Sequence, residues 1–367
     1  MKTQYPIVMT LDAGGTNLVF SASRGPEEIV APVTLPSVTD NLDECLEVIR
    51  KGFETVRSLL PEPPKAISFA FPGPADYEAG IIGDLPNFPA FRGGVALGPF
   101  LEDHFGIPVF INNDGCLFAY GEALAGMLPE VNARLQAAGN SRRYRNLVGV
   151  TLGTGFGGGV VIDGELLRGD NQVGGNLWCM PNNRHEGMIA EESVSIRAIQ
   201  RIYASLSGDR STLTPKDIFD IAEGTREGNA EAAKAAFAEL GEVAGYTIAA
   251  AVTLIDGLVV IGGGLSGASK YILPALMKEL RAETGTFAGA RFNRLIATPY
   301  NLEDPAEAAA FLENSSKMVT VPGTGRTVEY HTDSRIGVAI SRLGASRAIA
   351  LGAYWFAVSE LKKKGLL

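Results

Sequence analysis

Cysteine and positive charge are scarce in this chain of 367 residues. Its three cysteines, Cys45, Cys116 and Cys179, are too few and too scattered for a disulfide framework, which indicates a reducing compartment. The chain has 32 lysine and arginine residues against 41 aspartate and glutamate residues, a formal net charge of −9. Because proteins that bind a phosphate backbone need a basic surface, we expect no nucleic-acid partner.

Long apolar runs are absent as well. The longest mostly apolar stretch, residues 246–265, is interrupted by Asp256 and by the glycines at 262–264, so it predicts a helix followed by a buried strand. The first apolar run of the chain ends at Asp12 and has no small-residue cleavage site, so we expect no signal peptide. These patterns predict a cytoplasmic protein without a membrane partner.

The composition is that of a folded globular protein. Hydrophobic residues make up 46% of the chain and charged residues 20%, which excludes wholesale disorder. At about 100–200 residues per domain, the length predicts roughly two domains. The 44 glycines follow no three-residue period, so we expect them in turns and phosphate loops.

Strand and helix signals alternate along the chain, which indicates an α/β protein. Two segments share one layout of strand, glycine-rich turn and strand: IVMTLDAGGTNLVF at 7–20 and VGVTLGTGFGGGVV at 148–161. This similarity predicts two related halves. The other predicted elements are helices over 42–60, 117–128, 271–280 and 345–362, strands over 66–71, 109–111 and 258–261, and a hairpin of 317–321 with 326–331.

The second glycine-rich turn imitates a dinucleotide-binding fingerprint. Gly153, Gly155 and Gly158 satisfy G-x-G-x-x-G, but that motif requires a helix after the glycines. Here a strand and the turn Asp163-Gly164 follow, so a Rossmann site is not predicted. The remaining interpretations are an ordinary tight hairpin or a hairpin whose backbone N–H groups approach phosphate oxygens.

Two aspartates follow predicted strands and carry the chemistry that we expect. Asp12 can hold Mg²⁺ through water beside the first glycine turn, or it can stabilise that turn. Asp114 can accept the proton of a hydroxyl that attacks a phosphoryl group, or it can cap the next helix. Its neighbour Asn113 can bond a polyol or act as a cap. Cys179 and His185 have no further cysteine or histidine nearby, so a four-ligand zinc site is not expected.

Six segments, taken in order, resemble the ROK family of bacterial sugar kinases within the hexokinase–actin ATPase superfamily. They are LDAGGTN (11–17), FPGPADYEAG (71–80), LPNFPAF (85–91), INNDGCLFAYGEALAG (111–126), VTLGTGFGGGVVIDGELLRG (150–169) and VVIGGGLS (259–266). The resemblance implies an α/β, two-domain ribonuclease H-like fold of the actin and hexokinase type, with a cleft between the domains. It also implies ATP-dependent phosphate transfer to a hydroxyl of a hexose or hexose derivative.

The resemblance assigns roles to individual residues. It makes Asp114 the catalytic base and places Asp12 near Mg²⁺. The sugar-binding positions that it implies are Gly73, Asn87, Asn113, Asn176 and Glu191. The ATP-binding positions are Asp12, Gly14, Gly15 and Thr16 in the first phosphate loop, Thr154 and Gly155 in the second, and Gly262, Gly263 and Gly264 beside the adenosine.

This chain departs from the family pattern after its second glycine turn. Asn176 stands where the family has a sugar-binding glutamate, and Cys179 stands where it has a histidine that binds sugar and zinc. Residues 181–188 lack the family's zinc cysteines. We therefore expect no zinc site and an altered sugar contact at Asn176, since an amide both donates and accepts hydrogen bonds. Residues 285–342 form a longer segment than the family implies, and no role is predicted for them.

The sequence thus predicts a glucokinase-like sugar kinase, plausibly a homodimer, that binds ATP, Mg²⁺ and a small-molecule sugar. The predicted domains are 1–115 with 345–367, and 116–344. A non-catalytic sugar-binding ROK protein is the alternative, because Asn176 and Cys179 replace expected side chains. A sugar-responsive transcription regulator is disfavoured, because the first strand at Ile7 leaves no room for an N-terminal winged helix-turn-helix.

Overall fold

The computed structural model describes residues 5–14, 16–84 and 89–367. The chain divides into two compact units. Unit 1 comprises Met1–Gly126, Leu166–Gly175 and Leu343–Leu367, and unit 2 comprises Met127–Glu165 and Asn176–Arg342. The predicted domain boundaries at 115 and 345 stay a prediction, and the units differ from them by placing residues 116–126 and 166–175 in unit 1.

A mixed sheet of six strands forms the centre of unit 1 within the described residues. Its strands are β1 (Ile7–Ala13), β2 (Asn17–Arg24), β3 (Glu27–Glu28), β4 (Val33–Pro36), β5 (Ala66–Ala70) and β8 (Val109–Asn112), and a separate small hairpin joins β6 (Ala75–Asp76) to β7 (Ile81–Ile82). The strand order in the sheet is β3-β2-β1-β5-β8, and β4 also pairs with β2. The pairs β1–β5 and β5–β8 are parallel, whereas β1–β2 is an antiparallel hairpin.

Four helices belong to unit 1 within the described residues. They are α1 (Leu42–Leu59), α2 (Leu97–Phe105), α3 (Asp114–Ala125) and α10 (Ala345–Lys363). The predicted helix over 42–60 is confirmed: the Asn41 side chain caps it by accepting the Glu44 N–H at 3.2 Å. Its buried residues Cys45, Ile49, Phe53 and Val56 recur every three or four positions and so share one face.

The helix predicted over 117–128 has the wrong bounds. Helix α3 already begins at Asp114, because Asn113 caps it, and it ends at Ala125 before Gly126. A new helix, α4 (Met127–Ala137), follows in unit 2. A glycine with backbone angles outside the helical region thus separates two helices that the hydrophobic pattern joins.

Helices α3 and α10 approach each other through glycine. A Cβ at residue 121 would lie 1.9 Å from the carbonyl oxygen of Ala348, and a Cβ at residue 352 would lie 1.9 Å from that of Leu117. Both distances are far inside van der Waals contact, so Gly121 and Gly352 allow the two backbones to touch. This contact fixes the C-terminal helix against the helix that begins with Asp114.

Unit 2 is built on a second six-stranded sheet. Its strands are β9 (Leu147–Leu152), β10 (Phe156–Ile162), β11 (Glu165–Leu166), β12 (Leu258–Gly262), β15 (Thr298–Asn301) and β18 (Arg335–Ile340). They lie in the order β11-β10-β9-β12-β18-β15, in which the hairpin β9–β10 is antiparallel and β9, β12, β18 and β15 are parallel neighbours. The remaining helices are α5 (Ile196–Ser207), α6 (Pro215–Ala222), α7 (Ala230–Ile255), α8 (Ser269–Leu280) and α9 (Pro305–Leu312).

The two sheets repeat one pattern. Each contains an antiparallel hairpin whose first strand pairs in parallel with later strands: β1 with β5, and β9 with β12. The predicted α/β fold is confirmed by this arrangement. Residues 285–342, for which no role was predicted, supply β15 and β18 to the second sheet. They also contain the predicted hairpin, observed as β16 (Ser316–Thr320) and β17 (Thr327–His331), and the end of another made by β13 (Glu283–Gly285) and β14 (Arg291–Asn293).

Helix α7 is the one helix of the described residues that is long and apolar enough to cross a membrane. Of its most apolar 18-residue window, 56% is buried inside the protein, as in the core helix of a globular unit. The helix ends at Ile255, and β12 begins at Leu258. The prediction of a helix followed by a buried strand is therefore confirmed.

Replacing Gly352 with alanine is expected to destabilise unit 1, because the new methyl group would overlap the Leu117 carbonyl. Overpacking of this kind costs about 1–3 kcal/mol or more. The melting temperature of Gly352→Ala should fall by several degrees. Gly267→Ala is the matched control, since a Cβ at residue 267 meets no atom within 4 Å; equal melting temperatures of the two variants would contradict the predicted close contact.

Candidate active site

Parallel pairing brings three chain segments to one edge of the sheet in unit 1. Strands β1, β5 and β8 run in the same direction, and Ala70 is paired with Asn112 at their carboxyl ends. The Phe71 N–H donates to the Asn112 carbonyl at 3.0 Å just beyond that pair. Loops that follow the carboxyl ends of parallel strands are the usual place for a ligand in an open α/β sheet.

The first glycine turn closes the β1–β2 hairpin. The Gly14 N–H donates to the Asn17 carbonyl at 3.0 Å, and a Cβ at residue 14 would lie 2.8 Å from that oxygen. The turn therefore requires glycine at this position and already uses its N–H group. Thr16 is exposed at the same turn. Gly15, another predicted phosphate contact, lies outside the described residues.

Asp12 is the last acidic side chain before this turn. It is exposed, yet the surrounding protein partly desolvates its carboxyl group and raises its pKa above the usual value. Asp12 lines a cavity of about 260 Å³ together with Ser346 and Arg347 of α10. A single carboxylate beside open space suits Mg²⁺, which is commonly held by one or two carboxylates, waters and substrate phosphates.

Asp114 and Asn113 follow β8 at the same sheet edge. The Asn113 side chain accepts the Gly115 N–H at 2.9 Å, so Asn113 is the helix cap. Asp114 is the first residue of α3 and is exposed. Asp114 Oδ1 accepts the same Gly115 N–H at 2.9 Å, so the two side chains share this donor although Asn113 holds the N-cap position.

Gly73 lies in the loop after β5, next to Tyr77, for which the sequence analysis predicts no role. The Tyr77 hydroxyl donates to the Phe71 carbonyl at 2.9 Å, and a Cβ at residue 73 would lie 3.1 Å from that hydroxyl oxygen. Burial raises the pKa of Tyr77, a hydrogen bond with the Asn113 side chain lowers it, and the Asp114 charge raises it. Tyr77 thus joins the Gly73 loop to the Asn113–Asp114 segment, which no local motif indicates.

Asn87, the remaining sugar-binding prediction in unit 1, lies outside the described residues, as do Leu85, Pro86 and Phe88. The described segments of unit 1 therefore bring together Asp12, Gly14, Thr16, Gly73, Asn113 and Asp114 around one sheet edge.

The second glycine turn, between β9 and β10 of unit 2, is built around Glu191. The Phe156 N–H donates to Glu191 Oε2 at 2.9 Å, and a Cβ at Gly155 would lie 2.5 Å from that oxygen. The other carboxylate oxygen of Glu191 accepts from Arg197 at 3.0 Å. Thr154 is exposed at the tip of the turn. Glu191, predicted at the sugar, therefore contacts the predicted phosphate loop directly.

The third glycine segment follows β12, the parallel neighbour of β9. Gly263 has a φ of +88°, and a Cβ there would lie 2.3 Å from the Leu152 carbonyl oxygen, so only glycine fits under the end of β9. Gly262 is buried at the end of β12. Gly264 is exposed, and a Cβ on it would enter open space.

Gly264 borders a mostly apolar cavity of about 290 Å³ in unit 2. The other lining residues are Leu265, Gly267 and Ala268 from the same segment, Pro215, Lys216 and Phe219 from α6, and Phe237 from α7. Concave sites lined by apolar and aromatic side chains are typical of small-molecule binding. The sequence missed the α6 and α7 walls, because they belong to amphipathic helices without a motif.

Asn176 precedes a short 3₁₀ turn, Leu177–Cys179, of which Cys179 is the last residue, and both side chains are exposed. The Cys179 thiol donates to the Asn176 carbonyl at 3.2 Å. Among residues 5–14, 16–84 and 89–367, no group of three or more His, Cys, Asp and Glu side chains is placed to hold a metal ion. The donor set for zinc that the family resemblance implies does not fit the residues present here.

Comparison with known sequences identifies the same family as the motifs do. The family model described as the ROK family matches residues 8–304. A curated glucokinase of Thermotoga maritima is 30% identical over 292 residues, covering 74% of this chain and 86% of the relative. A curated N-acetyl-D-glucosamine kinase of Vibrio parahaemolyticus is 28% identical, covering 77% of this chain and 97% of the relative.

Solved structures with the same fold include two described as glucokinases. The structure from Parabacteroides distasonis is 62% identical, with a TM-score of 0.90 over 97% of this chain and 98% of that one. A ROK family glucokinase from Streptomyces griseus in complex with glucose and AMPPNP is 19% identical, with a TM-score of 0.59 over 95% of this chain and 98% of that one. This second likeness concerns the fold.

A side chain placed at residue 264, on the border of the 290 Å³ cavity, is expected to obstruct that cavity without disturbing the core, since a Cβ there meets no atom within 4 Å. Gly264→Leu should weaken binding of AMPPNP at least tenfold in calorimetry while the melting temperature stays unchanged. Ala309→Leu, at an exposed position of α9, is the control. Unchanged AMPPNP affinity of Gly264→Leu would remove this cavity as the candidate base site.

Proposed function

The chain belongs to the ROK family and is a carbohydrate kinase that uses ATP to phosphorylate a sugar, and within this reaction we propose that Asp114 is the catalytic base. The observation that carries the proposal concerns Asn113 and Asp114, the two residues that follow β8. Asn113 is the N-cap of α3, and Asp114, whose Oδ1 accepts the Gly115 N–H at 2.9 Å, has an exposed carboxylate at the carboxyl edge of the sheet. A carboxylate held there by a buried strand and a helix can meet a sugar hydroxyl.

The proposed chemistry is a direct phosphoryl transfer. The sugar hydroxyl oxygen forms a bond to the γ-phosphorus of ATP, the bond from that phosphorus to the bridging oxygen of ADP breaks, and Asp114 accepts the hydroxyl proton. Since little covalent chemistry is required of the protein, its main tasks are positioning and stabilisation of charge.

The glycine segments supply the proposed ATP contacts. Thr16 and Thr154 are exposed at the two hairpin turns, where a hydroxyl can donate to a phosphate oxygen. Gly14 and Gly155 keep the turns narrow, because a side chain at either position would meet protein oxygens within 3 Å. The apolar cavity beside Gly264 is the proposed site of the adenine.

Asp12 is the residue proposed to hold Mg²⁺, directly or through water. The fit rests on its exposed carboxylate next to the first turn, a donor set that needs phosphate oxygens and waters for completion. When bound, the ion neutralises charge on the phosphates. The carboxylate of Asp12 must be ionised for this role.

The proposed sugar contacts are Gly73, Asn87, Asn113, Asn176 and Glu191. A hexose or an N-acetylhexosamine is the proposed class of substrate, since the curated relatives carry the names glucokinase and N-acetyl-D-glucosamine kinase. The amide of Asn176 both donates and accepts, so it suits an acetamido group as well as a hydroxyl. A homodimer, a cytoplasmic location and the absence of nucleic-acid and membrane partners stay predictions, as does the cleft between two domains.

Asp114→Asn is expected to lower kcat for ADP release by about 10²–10⁴-fold, the usual contribution of a general base. Turnover would be measured with Mg-ATP across hexoses, N-acetylhexosamines and ketohexoses. Asp43→Asn is the matched control, because Asp43 also lies in the first turn of a helix capped by asparagine. Retention of parental turnover in Asp114→Asn would contradict the assignment, and a parent without sugar-dependent turnover would favour a non-catalytic sugar-binding protein.

The Mg²⁺ requirement should increase as the pH falls. Because the pKa of Asp12 is raised, protons compete with Mg²⁺ for its carboxylate at a higher pH than for an ordinary aspartate. The Mg²⁺ concentration for half-maximal turnover should therefore rise in the parent as the pH is lowered toward the pKa of Asp12. Asp12→Asn should need more Mg²⁺ at every pH and lose most of this pH dependence; an identical pH dependence in both proteins would contradict the role of Asp12.

A further inference from the structure

The segment that carries Glu191 has little regular secondary structure, and both backbone and side-chain hydrogen bonds hold it in position. Residues 180–192 fold back on themselves through a bridge between Pro181 and Ile189. The Ala190 N–H donates to the Met180 carbonyl at 2.7 Å, and the Asn182 N–H donates to the Met188 carbonyl at 2.9 Å. A 3₁₀ turn, Ala190–Glu192, then presents Glu191.

Asn182 uses all of its amide capacity to hold this segment together. Its Nδ2 donates to Ser193 Oγ at 3.0 Å and to the Ile189 carbonyl at 3.3 Å. Its Oδ1 accepts the N–H groups of Arg184 at 2.9 Å and of His185 at 3.2 Å. The side chain is buried, so each of these bonds replaces one that water would otherwise make.

Ser193 links this segment to helix α7. Its hydroxyl accepts from Asn182 and donates to Glu239 Oε1 at 3.1 Å, and the residue is fully buried. The same Glu239 oxygen lies 3.0 Å from His185 Nε2, and the other lies 3.5 Å from Arg184 Nε. Two cationic or donor groups of the segment therefore converge on a carboxylate fixed by a long buried helix.

Glu191 lies two residues before Ser193 and reaches the second glycine turn. Its Oε2 accepts the Phe156 N–H at 2.9 Å, against the face of Gly155 that has no side chain. A continuous path of hydrogen bonds and covalent chain thus runs from Glu239 through Ser193 and Glu191 to the turn between β9 and β10.

We infer that Asn182, Ser193 and Glu239 form a polar clamp that positions Glu191 against the second phosphate loop. These three are positioning residues, and the inference rests on the proposed function, because Glu191 is a sugar contact there. Hydrogen bonds suit this task better than apolar contacts, because they depend on angle as well as on distance and so fix the orientation of a short loop.

The clamp can be tested by a double-mutant cycle with Ser193→Ala and Glu191→Gln. Ser193→Ala removes a buried hydroxyl that both donates and accepts, which should raise the sugar KM about tenfold. If Ser193 acts through Glu191, its effect on sugar kcat/KM should shrink to less than twofold in the Glu191→Gln background. Multiplicative effects of the two substitutions would overturn the inference.

A second pair of variants separates positioning from general stability. Glu239→Gln keeps one acceptor oxygen but loses the charge, and it should raise the sugar KM severalfold. Glu242→Gln is the control, because Glu242 lies one turn further along α7 and pairs with exposed Arg184 at 2.6 Å without contacting Ser193 or His185. Equal KM values for Glu239→Gln and the parent, or equal effects of both glutamine variants, would contradict the clamp.

Amide hydrogen exchange tests the same contact without turnover. In the parent, the Phe156 N–H is bonded to Glu191, so Ser193→Ala or Glu239→Gln should accelerate exchange of the peptide that contains Phe156 at least tenfold. Glu242→Gln should leave it unchanged. Unaltered exchange in both clamp variants would overturn the inference, whereas absent sugar-dependent turnover of the parent would overturn the proposed function and leave this readout valid.

Discussion

Parallel pairing of strands decides where the candidate residues lie. In unit 1, the pairs β1–β5 and β5–β8 align the carboxyl ends of three strands, so segments that are far apart in sequence emerge at one edge. Asp12 lies at the carboxyl end of β1, Gly73 follows β5 and Asp114 follows β8. In unit 2, the pair β9–β12 does the same for Gly155 and Gly264. Without this pairing, the motifs would be unconnected turns.

Close approach of the backbone is the second constraint, and it explains several of the glycines. Gly263 lies under the carbonyl of Leu152, Gly155 faces the carboxylate of Glu191, and Gly352 faces the carbonyl of Leu117. The first two hold together the elements proposed to bind phosphate, and the third joins α10 to α3. The high glycine content thus serves packing between helices as well as the turns of the site.

The carboxylate of Glu191 has an implied role at the sugar and an observed contact with the second glycine turn. The resemblance to sugar kinases implies a sugar-binding glutamate at this position, and the structure adds the bond to Phe156 and the pair with Arg197. A loop whose neighbouring sequence lacks zinc ligands is here organised by Asn182, Ser193 and Glu239. Ser193 and Asn182 have no local signal, because buried polar residues are recognised only from their partners.

The sequence by itself determined the α/β class, the two glycine hairpins and the candidate acidic residues, because these depend on local hydrophobic period and turn chemistry. It also determined most element positions, such as α1 and β9. Only the tertiary structure decided that Asn113 is the N-cap of α3 and that Tyr77 joins two loops. It also decided that residues of α6 and α7 line a cavity beside Gly264. These features arise from contacts between residues far apart in the chain, which no local pattern encodes.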